Sequence, residues 1–114
     1  MKKEDIERGV AELQILEQSL QNFSMQKQTF QAQLMEVENA LEELKAPKGE
    51  TYKIVGSIMI AADKDDLNKD LNSKKEILGL RVKNLEKQEA ALSEKAKKIQ
   101  EELMLSLKKR KNEQ

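Results

Sequence analysis

The apolar residues in the first third of the chain recur at alternating steps of three and four. Two interleaved heptad series begin at Ile6 and Gly9 and continue to Leu41 and Leu44. Their members are Ile6, Leu13, Leu20, Lys27, Leu34 and Leu41, and Gly9, Leu16, Phe23, Phe30, Val37 and Leu44. Such spacing places apolar side chains along one stripe of a helix, which is typical of a coiled-coil seam. The pattern predicts a helix over about residues 4–45.

Two seam positions of this helix are not apolar, and a proline and a glycine lie at its end. Gly9 and Lys27 are the members of the two series that are not apolar. We expect the stem of Lys27 to pack in the seam while its ammonium reaches solvent, a geometry that can also set the helix register. The segment 46–49, with Pro47 and Gly49, is predicted to end the helix, because proline cannot continue the backbone hydrogen bonds.

A second helix is predicted over about residues 63–109. Asp63 is the expected N-cap, and Asp65 and Asp66 favour the positive end of the helix dipole. Gly79 lies inside this helix, where glycine costs about 1 kcal/mol of stability. The seam of this helix is irregular at first and then repeats the alternating steps of three and four seen in the first helix. Its positions, apolar except for Glu89, are Leu67, Leu71, Leu78, Val82, Leu85, Glu89, Leu92, Ala96, Ile99 and Leu103.

Between the two helices lies ETYKIVGSIMIAA, residues 50–62, the one stretch that is typical of β-structure. Gly56 and Ser57 predict a two-residue type II′ turn, because glycine tolerates the positive φ of the first central position. This turn pairs Val55 with Ile58 and continues outwards to Ile54–Met59, Lys53–Ile60 and Tyr52–Ala61. One face then carries Val55, Ile58 and Ile60, and the other Tyr52, Ile54 and Met59, so both faces are apolar.

An isolated hairpin is marginally stable in water and leaves two unpaired strand edges. We therefore expect this one to join hairpins of other chains in a shared sheet or β-barrel. The predicted oligomerisation residues are Tyr52, Ile54, Val55, Gly56, Ile58, Met59 and Ile60. The alternative interpretation is a loop that only reverses the chain. The predicted fold class is mainly α: one domain over residues 1–114, a long antiparallel two-helix coiled coil whose central β-hairpin oligomerises into a barrel.

Composition narrows the function classes. Charged residues make up 37% of the chain and aromatic residues 3%, with no cysteine and no histidine. Such a chain lacks the usual catalytic and metal-binding groups, so we expect neither an enzyme nor a cofactor. Lysine plus arginine equals aspartate plus glutamate at 21 each, which disfavours nucleic acid and membrane partners. No signal peptide or membrane span is predicted, so the expected location is cytoplasmic.

The helix–hairpin–helix order over 114 residues resembles the β-type subunits of the prefoldin family, especially the archaeal ones. Three segments carry the resemblance: MQKQTFQAQLMEVENALEELK (25–45), YKIVGSIMI (52–60) and LEKQEAALSEKAKKIQEEL (85–103). The α-type subunits have two hairpins, and this chain has one. The resemblance implies an α2β4 hexamer with an α-type subunit, joined through a double β-barrel of hairpins. It further implies ATP-independent holding of unfolded client polypeptides at the coiled-coil tips and their delivery to a group II chaperonin.

The tip is expected to combine the two chain ends. Its apolar residues predict a client-binding surface, because exposed apolar side chains at a mobile end can capture non-native chains. The predicted client-binding residues are Ile6, Val10, Leu13, Leu103, Met104, Leu105 and Leu107. The alternative is that they complete the seam or pack on a neighbouring copy.

Two rival functions stay open. One is a structural coiled-coil adaptor that joins folded partners. The other is a nucleic-acid-binding coiled coil that uses the basic residues 108–111.

Overall fold

A computed structural model describes residues 3–46 and 49–113 of the chain. Helix α1 spans Lys3–Glu43, strand β1 Tyr52–Val55, strand β2 Ile58–Ala61 and helix α2 Lys64–Glu113. The two strands form one antiparallel sheet. The predicted order of helix, single hairpin and helix is confirmed. Helix α2 extends four residues beyond the predicted position 109.

The described residues divide into two compact units. The first, here called the termini unit, joins α1 as far as Lys27 to α2 from Asn84 onwards. The second, the hairpin unit, runs continuously over Gln28–Lys83 and contains both strands. In each unit a segment of α1 packs against a segment of α2 that runs in the opposite direction.

The predicted seam is confirmed in both halves of the chain. All twelve seam positions of the first predicted helix and all ten of the second are buried or half-buried. The most buried side chains are Leu16, Leu78, Val82, Leu85, Ala96 and Leu103. Burying a leucine or valine stabilises the fold by about 1.5–3 kcal/mol each. The helix pair is therefore held by a single line of apolar contacts.

Gly9 interrupts the apolar series because Leu103 occupies the space beside it. A β-carbon placed on Gly9 would lie 3.0 Å from Cδ2 of Leu103. That distance is shorter than ordinary van der Waals contact, so a larger residue at position 9 would displace Leu103. The missing side chain thus lets the α2 leucine pack closely on the α1 backbone.

Lys27 has a partner that was not predicted from the sequence. Its ammonium pairs with Glu89, another seam residue, and both side chains are 23% exposed. Lysine and glutamate at facing seam positions can remain partly buried because each neutralises the charge of the other.

Local hydrogen bonds define the ends of the helices. The amides of Lys45 and Ala46 bond to the carbonyls of Glu42 and Glu43, so α1 closes with tighter i to i+3 bonds. Pro47, which was predicted to end this helix, lies outside the described residues. The carbonyl of Asp63 accepts the first backbone bond of α2 from Leu67, at 3.0 Å. Asp63 therefore occupies the predicted cap position.

The hairpin has the predicted register. Val55 pairs with Ile58, and the ladder continues outwards to Tyr52 and Ala61. Gly56 has φ +63°, and no described non-glycine residue has a positive φ, as a type II′ turn requires. Thr51 and Ala62 extend the ladder by one pair: the amide of Ala62 bonds to the carbonyl of Thr51, and Oγ1 of Thr51 donates to the carbonyl of Ala62.

Candidate functional site

Two exposed apolar surfaces

The first apolar surface is the hairpin. Its six large apolar side chains are all between 48% and 69% exposed, on both faces of the two-stranded sheet. They form what we call the hairpin surface: Tyr52, Ile54, Val55, Ile58, Met59 and Ile60. A sheet face normally packs on another layer of structure, and here the apolar side chains of both faces stay largely exposed. The hairpin surface therefore contains every predicted oligomerisation side chain, and Gly56 forms its turn.

Polar contacts hold the base of the hairpin. Nζ of Lys53 lies 3.7 Å from Oδ2 of Asp70 on α2. The hydroxyl of Tyr52 donates a hydrogen bond to Glu50, and this bond, with a smaller contribution from desolvation, raises the pKa of the Tyr52 phenol above its ordinary value. Nζ of Lys64, at the start of α2, donates to the carbonyl of Ala46. These contacts are exposed and individually weak, so they orient the hairpin more than they stabilise it.

The second apolar surface lies near the carboxyl end of α2. Met104, Leu105 and Leu107 are 71%, 67% and 53% exposed. We call these three residues the terminal ridge. Glu101 and Lys108 flank them on the same helix. A helix exposes such a broad apolar face only where something other than its own seam covers it.

The remaining predicted client-binding residues fall into two groups. Leu103 is buried beside Gly9, so its side chain belongs to the seam and not to the exposed surface. On α1, Val10 is 44% exposed, whereas Ile6 and Leu13 are half-buried seam residues. The structure brings all seven into the termini unit. Only Val10 and the terminal ridge present substantial apolar surface to solvent among these seven.

Other exposed apolar residues were not predicted from the sequence. The seam is the inward-facing stripe of each helix, so its spacing predicts no role for the outward-facing apolar residues. These are Ile15, Met25 and Met35 on α1 and Ile77 and Leu80 on α2. In the sequence, the exposure of these residues was indicated by their positions between seam residues. Ile77 and Leu80 stand three residues apart, on adjacent turns of one helix, so they form a pair.

Two other kinds of site are not seen in the part of the chain that the structure describes. No cluster of three or more carboxylates converges as a metal site would require. Neither helix contains an apolar stretch of the length needed to cross a membrane.

Comparison with known proteins

The arrangement of two seamed helices around one hairpin matches known proteins. A family model described as "Prefoldin subunit" matches residues 7–110. The prefoldin subunit beta of Archaeoglobus fulgidus is 40% identical over 100 residues, covering 86% of each chain. That of Saccharolobus islandicus is 33% identical over 98 residues, covering 84% of this chain and 78% of the relative.

A solved structure has the same fold. The crystal structure of the prefoldin beta subunit from Thermococcus strain KS-1 superposes with a TM-score of 0.84 at 31% identity, covering 90% of this chain and 92% of that one. The match spans both helices and the hairpin rather than a helix alone. Family model, curated relatives and structural neighbour agree: the chain belongs to the prefoldin family, whose members are chaperone subunits that act in complexes with other subunits.

Proposed function

We propose that this protein is a subunit of an ATP-independent holding chaperone that binds unfolded polypeptides at its terminal ridge. The observation that carries the proposal is the exposure of Met104, Leu105 and Leu107 beside a buried Leu103. The seam is already complete at Leu103, so these three side chains are not needed for pairing of the helices. Methionine and leucine are also adaptable in shape, which suits clients of varied sequence.

Assembly is the second part of the proposal. The hairpin surface joins hairpins of other subunits in a β-barrel, which satisfies the strand edges and covers apolar side chains. An α-type subunit completes an α2β4 hexamer. One apolar contact contributes only about 1–3 kcal/mol at full burial, so retention of a client depends on several ridges acting together.

The bound client then passes to a group II chaperonin. The protein itself performs no chemistry and uses no cofactor or nucleotide, in keeping with a chain that has no histidine and no cysteine. Absence of cysteine also fits a reducing compartment, and we place the protein in the cytoplasm. Nucleic acid and membranes are not partners in this proposal.

Suppression of aggregation tests the proposal. A chemically denatured protein is diluted into buffer without nucleotide, with this chain and an α-type subunit present, and light scattering is followed. The assembled complex is expected to suppress scattering at near-stoichiometric amounts. Under the alternative, a structural adaptor for folded partners, scattering would rise as it does in buffer alone. That result would refute the holding function.

A further inference from the structure

The hairpin is too small to support assembly by itself. Its two strands contain four residues each, whereas a specific protein interface engages roughly 20–30 residues on each side. If the chain assembles as proposed above, and the present inference rests on that proposal, more apolar surface must take part. The hairpin unit offers such a surface next to the hairpin.

A groove lies between the hairpin and the helix pair of this unit. Its volume is about 420 Å³, and its apolar walls come from both helices and from β1. The apolar lining residues are Ala40, Leu44, Tyr52, Ile54, Leu67 and Leu71. The rim carries charges of both signs, including Lys53 and Asp70, which form the ion pair at the base of the hairpin. Asp70 therefore marks the side of α2 on which the hairpin lies.

Exposed apolar residues continue along α2 from that side to its outward face. Ile77 follows Asp70 by seven residues, which is two helical turns or about 10 Å, and so projects in nearly the same direction. Leu80, ten residues from Asp70, is turned about 80° from that direction and so lies on the outward face of α2 beside Ile77. Ile77 and Leu80 are 50% and 56% exposed, while Leu78 between them is buried in the seam. Arg81, with its guanidinium 5.4 Å from the ring centre of Phe30, already shields the neighbouring part of the seam.

We propose that this side of the hairpin unit, the groove together with Ile77 and Leu80, binds the hairpin of a second copy of this chain. We call it the α2 flank. The hairpin of the second copy fits its chemistry, because that hairpin is apolar on both faces. Edge pairing between hairpins satisfies the strand edges and leaves an apolar face to be covered. The α2 flank supplies that cover.

Symmetry makes the arrangement self-consistent. Two copies related by a two-fold axis form an isologous contact, in which any two surfaces that meet once meet again with the copies exchanged. Each hairpin then covers the α2 flank of its partner, and two exposed surfaces of the monomer are buried by one interface.

The matched variants are Ile77→Gln with Leu80→Gln, and, as a control, Ile15→Gln with Met25→Gln. The control residues are comparably exposed and lie on α1 in the termini unit. Sedimentation velocity over a range of chain concentrations measures assembly, and circular dichroism verifies helix content. The flank variant is expected to weaken self-association at least about tenfold, and the control less than about twofold. Equal weakening in both, or in neither, would overturn the proposal.

Cross-linking tests the geometry directly, because the chain has no cysteine of its own. Chains with Leu80→Cys are mixed with chains that carry Ile58→Cys and treated with a short bis-maleimide. A cross-linked dimer is expected for this mixture but not when Met25→Cys replaces Leu80→Cys. Three outcomes separate the proposals. If the wild-type chain stays monomeric alone and with an α-type subunit, assembly and flank docking both fail. If it assembles without this cross-link, or gives the link only to an α-type hairpin, flank docking to a second copy alone fails.

Discussion

Lys27 and Glu89 form an ion pair inside the helix seam. The lysine Nζ lies 3.2 Å from Oε1 of Glu89 and donates a hydrogen bond to Oε2 at 3.3 Å. The two residues are 62 positions apart in the chain, so the pair fixes which heptad of α1 faces which heptad of α2. Oε1 is buried and receives no well-aligned hydrogen bond. Lys27 therefore supplies the positive charge that compensates this partly buried carboxylate.

Removing one partner should be more harmful than removing both. Lys27→Met leaves the half-buried Glu89 carboxylate unpaired, and we expect a loss of about 1–3 kcal/mol of unfolding free energy. The double variant Lys27→Leu with Glu89→Leu should recover most of that loss, because it replaces the pair by apolar contacts. Urea unfolding at one fixed chain concentration measures both. A double variant less stable than Lys27→Met would contradict this expectation.

The two helical glycines should respond differently to alanine. A β-carbon added to Gly79 would meet no atom within 4 Å, so Gly79→Ala is expected to gain about 0.5–1 kcal/mol from helix propensity. Gly9→Ala should gain less or lose stability, because the new β-carbon would meet Leu103 at 3.0 Å. Thermal unfolding of both variants measures the difference. Equal gains would show that Leu103 moves aside without cost.

Charges on the hairpin should prevent assembly. Ile58→Asp with Ile60→Asp places carboxylates on one exposed face of the sheet, where burial against another chain would cost several kcal/mol. We expect a lower mass in light scattering with unchanged helix content. Met25→Asp is the control, because Met25 is as exposed as Ile58 but lies in the termini unit. An unaltered oligomeric mass in the hairpin variant would exclude this surface from assembly.

The terminal ridge should determine client holding. Replacing Met104, Leu105 and Leu107 by serine removes the exposed apolar face and keeps the buried Leu103, so the seam is preserved. We expect suppression of aggregation to fall severalfold with no change in oligomeric mass. The matched control replaces three similarly exposed apolar residues by serine: Ile15, Met25 and Met35. Undiminished holding by the ridge variant would place the client elsewhere.

Tyr52 offers a spectroscopic reading of the hairpin. It is the single tyrosine of the chain, and its hydrogen bond to Glu50 raises its pKa. Phenolate absorbance should therefore titrate above the ordinary value of about 10, and Glu50→Ala should bring the midpoint down. Since the folded pKa is raised, the associated stability is present below about pH 10 and is lost as pH rises through the folded pKa. An unchanged midpoint in Glu50→Ala would contradict the assignment.

Sequence periodicity was sufficient to predict the helices, the seam and the hairpin register. Gly56 alone fixes the turn type, and the turn then determines each strand pair down to Tyr52 and Ala61. The pairing of Lys27 with Glu89 could not be predicted, because shifting one helix by a heptad leaves an equally apolar seam. The packing of Leu103 on Gly9 could not be predicted from the sequence for the same reason.

The exposed surfaces were predictable only in part. Met104, Leu105 and Leu107 could be predicted from the sequence, because they are apolar residues next to Leu103 that the seam does not require. Ile77 and Leu80 gave no such signal, and their relevance depends on the position of Lys53 beside Asp70, a contact between distant parts of the chain. Spacing along one helix does not reveal on which side a neighbouring hairpin lies.

The position of Leu103 also has a mechanical consequence. It is the last buried residue of α2 in the described part of the chain, and from Met104 to Lys111 only Ser106 is even half-buried. This stretch is helical without a packed anchor, so bending or unwinding it breaks local hydrogen bonds and few tertiary contacts. Apolar residues on such a stretch can change their arrangement to fit each bound polypeptide. The same residues held by a packed core would fit polypeptides of one shape only.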